Sequence, residues 1–226
     1  MTWRQCETCL HVFTDGYFSG STLDFLLEKG NEDQAPGYDL ERQRYVAARI
    51  IDRVTPFADS GVWLDVGFGN AALLFTAREY GYTPVGLDLR SVHVETLKAF
   101  GIESHCTDIQ VFYPEYECSV ISMADVLEHM PRPIEALRAS QRLLCDGGIL
   151  FLSMPNIESP VWKAMDDTRT NPYWGEIEHF HNFSRTRLYA LLEETGFTPV
   201  RYGVSERYRA AMEVIALKKP RAAASV

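Results

Sequence analysis

The sequence predicts one α/β domain, in which seven strands form a mostly parallel sheet with helices on both faces and an antiparallel carboxyl-terminal strand. Two patterns carry this. From residue 39 onward, strand-length apolar runs alternate with helix-length amphipathic runs, the order that gives right-handed crossovers and a parallel sheet. At the end of the chain two strand-like runs follow each other with no room for a crossover helix, so they pair antiparallel. A chain of 226 residues, 46% hydrophobic and 23% charged, is long enough to bury the core such a domain needs.

Residues 1–38 show no period; Gly16, Gly20, Gly30, Pro36 and Gly37 interrupt aromatic and acidic residues, and the segment reads as an appendage to a domain spanning 39–226. The first helix, 39–54, sets Leu40, Tyr45, Val46, Ile50, Ile51 and Val54 at helical spacing behind Asp39 as N-cap, and Thr55 with Pro56 stops it. A strand at 62–66, a helix at 71–80 closed by Gly81, a strand at 84–89 and a helix at 92–100 closed by Gly101 follow. Strands at 103–106, 119–123 and 149–153 come next, the last two separated by a helix at 133–144. A helix at 185–194, stopped by Gly196, leads into the final strands, 199–205 and 211–217. Residues 155–183 are too long for a plain connection and rich in aromatics, proline and charge, as in an acceptor-site insertion or lid. An Ala-rich tail covers 221–226.

The exit of the first strand carries Asp65, Gly67 and Gly69 just before the first helix, where glycines let backbone approach a ligand. Read as Gly67-x-Gly69-x-x-Ala72 with Asp88 downstream, the segment also fits a dinucleotide fingerprint and leaves a nicotinamide-dependent oxidoreductase as an alternative. Charge separates the two. A pyrophosphate would face the Asp65 carboxylate, whereas the ammonium of S-adenosylmethionine is attracted to it. Asp88 ends the second strand, placed to accept both ribose hydroxyls, and Asp108 follows the third, placed to accept the adenine amino group. Leu89, Thr107, Ile109 and Met123 flank these positions and complete the cofactor-binding set. Taken singly, each aspartate also reads as a loop cap.

On these residues the chain resembles the class I S-adenosylmethionine-dependent methyltransferases, Rossmann-like enzymes, over about 39–218. Leu-Asp-Val-Gly-Phe-Gly-Asn (64–70) is similar to their glycine-rich motif, Val-Gly-Leu-Asp (85–88) to the acidic ribose motif and Ser-Met-Ala-Asp-Val-Leu-Glu-His (122–129) to the fourth-strand motif. The run 143–156 resembles their turn into the fifth strand. Ala71 replaces the usual third glycine, which is tolerable where the backbone is already helical. The resemblance implies S-adenosylmethionine as cofactor, S-adenosylhomocysteine as product, and a small-molecule acceptor methylated on oxygen or carbon. A non-catalytic adaptor that keeps the fold is the other alternative.

Methyl transfer from a sulfonium is an in-line displacement, and a hydroxyl acceptor also needs a base. His129, beyond the fourth strand, is one candidate; the resemblance places this segment by the methyl group, beside the reading of a structural histidine. Similar carboxylate and histidine positions in ubiquinone-type O-methyltransferases hold a divalent cation, which would make Asp125, Glu128 and His129 ligands, but the reading taken is one without metal. His179 and His181 are the other candidates. An extended run over 176–181 would put both on one wall opposite Glu176 and Glu178, with Tyr173 and Trp174 as an aromatic wall. At the start, Cys6-Glu-Thr-Cys9 has zinc-knuckle spacing and resembles half of the zinc ribbon before some sugar C-methyltransferases, with His11 as a third ligand; without a second pair a free-thiol remnant is favoured.

Thirty-one acidic against 22 basic residues give a net charge of −9 with no basic stripe, which argues against nucleic acid as partner. Five cysteines, the polar start and the absence of a long apolar run predict a reducing, cytoplasmic setting without membrane insertion, and a homodimer is the one protein assembly kept open.

Overall fold

The computed structural model describes residues 2–18, 20, 22, 34–208 and 210–220; Gly30, much of the appendage and the tail 221–226 lie outside them. The main sheet has seven strands: β3 (Val62–Val66), β4 (Thr83–Asp88), β5 (Glu103–Cys106), β6 (Cys118–Ala124), β7 (Leu144–Pro155), β9 (Phe197–Val204) and β10 (Ala211–Lys218). Their spatial order is β5-β4-β3-β6-β7-β10-β9. β3, β4, β5, β6 and β7 are parallel, and β10 lies antiparallel between β7 and β9. The predicted fold class and the closing hairpin are therefore both present. Strands buried on both faces need continuous apolar runs, which Ile149 to Leu152 and Val214 to Ala216 supply.

Six α-helices accompany the sheet among the described residues: α1 (Leu40–Val54), α2 (Ala72–Glu79), α3 (Ser91–Ala99), α4 (Pro133–Leu143), α5 (Pro160–Asp167) and α6 (Arg185–Glu194). One apolar cluster unites Trp63, Leu74, Leu97 and Phe151 with Ile51 of α1, and a second unites Leu64, Met123, Leu137 and Leu150 with Leu188 of α6. Two local expectations change. Asp39 stands at the start of α1, but its backbone is left-handed (φ 46°) and its side chain makes no cap bond. Ala71 is left-handed as well, at φ 63°, not helical, so its Cβ is accommodated at a backbone cost.

The appendage and the insertion meet. β1 (Trp3–Gln5) and β2 (Val12–Thr14) form an antiparallel hairpin, and β2 continues onto β8 (His181–Asn182), giving a second sheet of three strands. The insertion also folds α5, capped by Ser159 accepting from the Trp162 N–H, and a 3-10 turn, Pro172–Gly175. Trp3 donates from Nε1 to the Trp174 carbonyl at 3.1 Å, and their rings meet edge to face at 5.6 Å. Among the described residues no helix is long and apolar enough to cross a membrane.

Candidate active site

β3 and β6 are neighbours in the sheet, and from them the chain winds outward in opposite directions, toward β4 and β5 and toward β7. Their carboxyl ends thus flank the crevice in which ligands of open α/β sheets bind. Gly67 and Gly69 take positive φ, 65° and 51°, just after β3. A Cβ on Gly67 would lie 2.8 Å from Cγ2 of Val126, so only glycine lets the loop after β6 close over the turn. A Cβ on Gly86 of β4 would lie 2.6 Å from the ring of Phe68, which folds back from between the two loop glycines. The Asn70 side chain accepts the Ala72 N–H at 3.1 Å and starts α2.

Asp65 is buried at the end of β3 and accepts the Ser122 hydroxyl at 2.6 Å, while Ser122 accepts the indole N–H of Trp63 at 2.9 Å. Burial pushes the Asp65 carboxyl up to about 7 against the opposing pull of Ser122 and Arg207. Asp88 ends β4 and grips Arg90: Nε donates at 2.9 Å, Nη2 at 2.7 Å and the Arg90 backbone N–H at 2.9 Å. Asp108 follows β5 and accepts the Gln110 N–H at 2.8 Å. Both aspartates therefore cap their loops at the same edge that carries Asp65. Leu89 is exposed there, Thr107 is half-buried, and Ile109 and Met123 are buried in the sheet's core.

The turn after β6 begins at Asp125, left-handed at φ 58°, whose carboxylate accepts the Ser153 hydroxyl at 2.9 Å and faces Arg207 at 3.5 Å. The 3-10 turn Leu127–His129 follows. His129 donates from Nδ1 to the Glu178 carbonyl at 3.0 Å, leaving Nε2 as the acceptor, and its ring meets His179 edge to face at 4.6 Å. Burial lowers His129 to about 4; burial and then the neighbouring His129 lower His179 to about 3. Glu128 is 1% exposed with no hydrogen-bond partner on either carboxylate oxygen, and burial holds it well above the usual carboxylate range.

The insertion histidines do not share a wall as an extended run would require. A turn at 177–178 breaks it, closed by the His179 N–H on the Glu176 carbonyl at 3.2 Å. His179 reaches His129 and lies against Tyr173, whereas His181 sits 3.0 Å from His11 and packs on Phe183. His11, the third ligand of the zinc reading, is thus engaged with His181, and all five cysteines are free. Sequence reasoning missed Ser122 and Arg90, which hold Asp65 and Asp88. It also missed the joining of Glu128 to His179 across 51 residues, for which no local pattern gives a signal.

A parallel sheet with one inserted antiparallel strand, and acidic residues at three successive strand ends, is the architecture of the class I S-adenosylmethionine-dependent methyltransferases. Residues 38–202 match the family model described as a methyltransferase domain, and the chain belongs to that family. The dinucleotide alternative fits neither this membership nor β10. A ubiquinone biosynthesis O-methyltransferase of Klebsiella pneumoniae is 30% identical over 110 residues, 44% of this chain and 44% of the relative. The chain thus spans less than half the length of that curated relative in the match. Among solved structures, the 1,6-didemethyltoxoflavin-N1-methyltransferase of Burkholderia thailandensis, with its substrate and S-adenosylhomocysteine bound, has a TM-score of 0.66 at 15% identity, covering 97% of this chain and 100% of that one. The magnesium protoporphyrin IX methyltransferase of Synechocystis, with S-adenosylhomocysteine bound, has a TM-score of 0.62 at 16% identity, covering 91% and 90%.

Proposed function

We propose that the protein transfers a methyl group from S-adenosylmethionine to a small-molecule acceptor, at an oxygen in preference to a carbon, by in-line displacement. In this reading Asp65, Gly67 and Gly69 receive the methionine portion, Asp88 the ribose, and Asp108 with Leu89, Thr107, Ile109 and Met123 the adenine side. Ribose binding then requires Asp88 to exchange part of its grip on Arg90 for the two hydroxyls. His129 and His179 face the acceptor as the proton-accepting pair. His181, through His11, orients the wall behind them, and residues 2–18 with 155–183 form the acceptor-side layer.

The observation that carries the reading is the pairing of His129, half-buried in the turn after β6, with buried His179 of the insertion, their ring centroids 4.6 Å apart. An unprotonated imidazole nitrogen has the lone pair that proton acceptance needs, and an acceptor bound between the two rings would have to raise their basicity for efficient transfer. The Klebsiella relative is an O-methyltransferase, which supports oxygen as the acceptor atom. The test is calorimetric binding of S-adenosylhomocysteine, followed by labelled methyl transfer to a panel of phenols, alcohols and carbon acids. His179→Gln is expected to leave binding intact and to lower turnover by about 100-fold or more. Binding without transfer to any acceptor would instead favour the adaptor.

A further inference from the structure

The loop 205–210 joins β9 to β10 at the sheet edge where β6 and β7 end, because Ala211, the first residue of β10, pairs with Pro155, the last of β7. Side chains fix its backbone. The Ser205 hydroxyl accepts the N–H groups of Arg207 and Tyr208 at 3.2 and 3.4 Å. The Glu206 carboxylate accepts Nε of Arg49 at 2.8 Å and Nη2 of Arg53 at 2.5 Å, both from α1. Arg207 is thereby carried to the turn after β6, where its Nη1 stands 3.5 Å from Oδ2 of Asp125 and its charge also acts on Asp65. The guanidinium is loosely held there. Arg44, Arg53, Arg90 and Arg187 each give two or more hydrogen bonds to carboxylates. That of Arg207 gives none among the described residues, and Oδ2 of Asp125 is buried without one.

We infer that Arg207 selects acceptors that carry a carboxylate, gripping it in a bidentate pair while a hydroxyl of the same molecule is turned toward His129 and His179. The substrate class is then a small hydroxy acid. A planar fork of N–H donors matches a carboxylate better than any other common acceptor group, and Arg207 has its fork unspent. Releasing Arg207 leaves Asp125 partnered, because the Ser153 hydroxyl still donates to it at 2.9 Å. Burial favours the protonated form of Asp125 against the pull of Arg207, and it also removes charge from Glu128, His129 and His179. The guanidinium charge is therefore not cancelled by its surroundings. The two ends of the acceptor stand close together: the Tyr173 ring lies 6.3 Å from that of His179, and its phenol is raised first by burial and then by Asp125. The methyl donor has a carboxylate too, but Arg207 leans on the turn after β6 and not on the Gly67 to Gly69 loop. The hydroxyl end of this inference rests on the proposed function, while the anion site itself does not.

The test titrates the full chain, with S-adenosylhomocysteine present, against a panel of small aromatic and aliphatic hydroxy acids and their matched primary amides. Methyl transfer from labelled S-adenosylmethionine to each compound is measured in parallel. At least one acid is expected to bind about tenfold or more tightly than its amide. Arg207→Gln should abolish that preference and Arg207→Lys keep part of it, with S-adenosylhomocysteine affinity within about threefold of the starting protein in both. In transfer, Arg207→Gln should raise KM for the acid more than it lowers kcat. A cooperative unfolding transition certifies each variant, and should Arg207→Gln lack one, Arg207→Lys, which removes the planar fork, carries the comparison. Amides bound as tightly as acids throughout the panel, or an acid preference that survives the loss of the fork, would overturn the inference. So would weakened S-adenosylhomocysteine binding in a folded variant, which would give Arg207 to the carboxylate of the donor. An acid preference without methyl transfer to any compound, or no S-adenosylhomocysteine binding in the starting protein, would instead count against the proposed function alone.

Discussion

Asp65 gives the proposed cofactor site its most direct pH test. Its carboxyl is raised from an ordinary 3.8 to about 7, chiefly by burial and slightly by Asp88, while the Ser122 hydroxyl and Arg207 oppose the shift. A raised carboxyl pKa means that the folded protein holds a proton the unfolded chain has released. Its contribution to stability is therefore most favourable below about pH 4, falls as pH rises, and is lost above about 7. An ammonium placed beside Asp65 reverses the preference by favouring the carboxylate. S-adenosylhomocysteine affinity is accordingly expected to rise from about pH 6 to about 8, with proton release on binding, and Asp65→Asn should flatten both. Calorimetry in buffers of different ionisation enthalpy measures the release directly. Asp88 makes a different prediction. In the proposed site Asp88→Ala would remove charge-assisted hydrogen bonds to the ribose, and it is expected to weaken S-adenosylhomocysteine binding by roughly 1–3 kcal/mol. Unchanged affinity would take Asp88 out of the site.

At the level of elements, the turn between β3 and α2 sets two opposing effects against each other at Ala71. Left-handed backbone costs a non-glycine residue roughly 1–2 kcal/mol, and the fully buried methyl group returns ~0.8 kcal/mol through burial. Ala71→Gly should therefore change the unfolding free energy by less than about 1 kcal/mol in denaturant titration. Ala71→Val, branched at the same φ and pushed into filled space, should cost about 1–3 kcal/mol. This turn also marks where local pattern stopped being informative. The glycines, the aspartates and the strand order follow from periodicity and punctuation, so β3 to β5 and their acidic ends were legible. Whether residue 71 is helical or left-handed depends on the chain's path, which neither an alanine nor its neighbours specify. Likewise β1, β2 and β8 have two or three residues each, too few to display alternation. The meeting of Glu128 with His179, and of His181 with His11, is tertiary and leaves no trace in local spacing.

At the scale of the whole molecule, the proposed cofactor half and the proposed acceptor half are built differently. The first is cut from a long parallel sheet whose strands, such as β7 with 12 residues, are buried and laddered on both sides. The second rests on the short β1–β2–β8 sheet, on the Thr14 N–H to Phe180 carbonyl and Phe180 N–H to Glu128 carbonyl bonds, each 2.9 Å, and on aromatic contacts. Joining β2 to β8 brings together residues some 170 apart, as in the His11–His181 pair, so the chain closes a very long loop for a few hydrogen bonds. Amide exchange is expected to be faster at Phe13 and Phe180 than at Leu150 and Leu152, through an opening smaller than global unfolding. The short sheet is then expected to form late in folding and to open first. Opening is therefore expected on one side of the molecule first, with the edge proposed to hold the nucleoside still folded. On the proposed function an ordered cycle is expected, the methyl donor binding before the acceptor and the methylated product leaving first; product-inhibition kinetics check it, and a random order would contradict it.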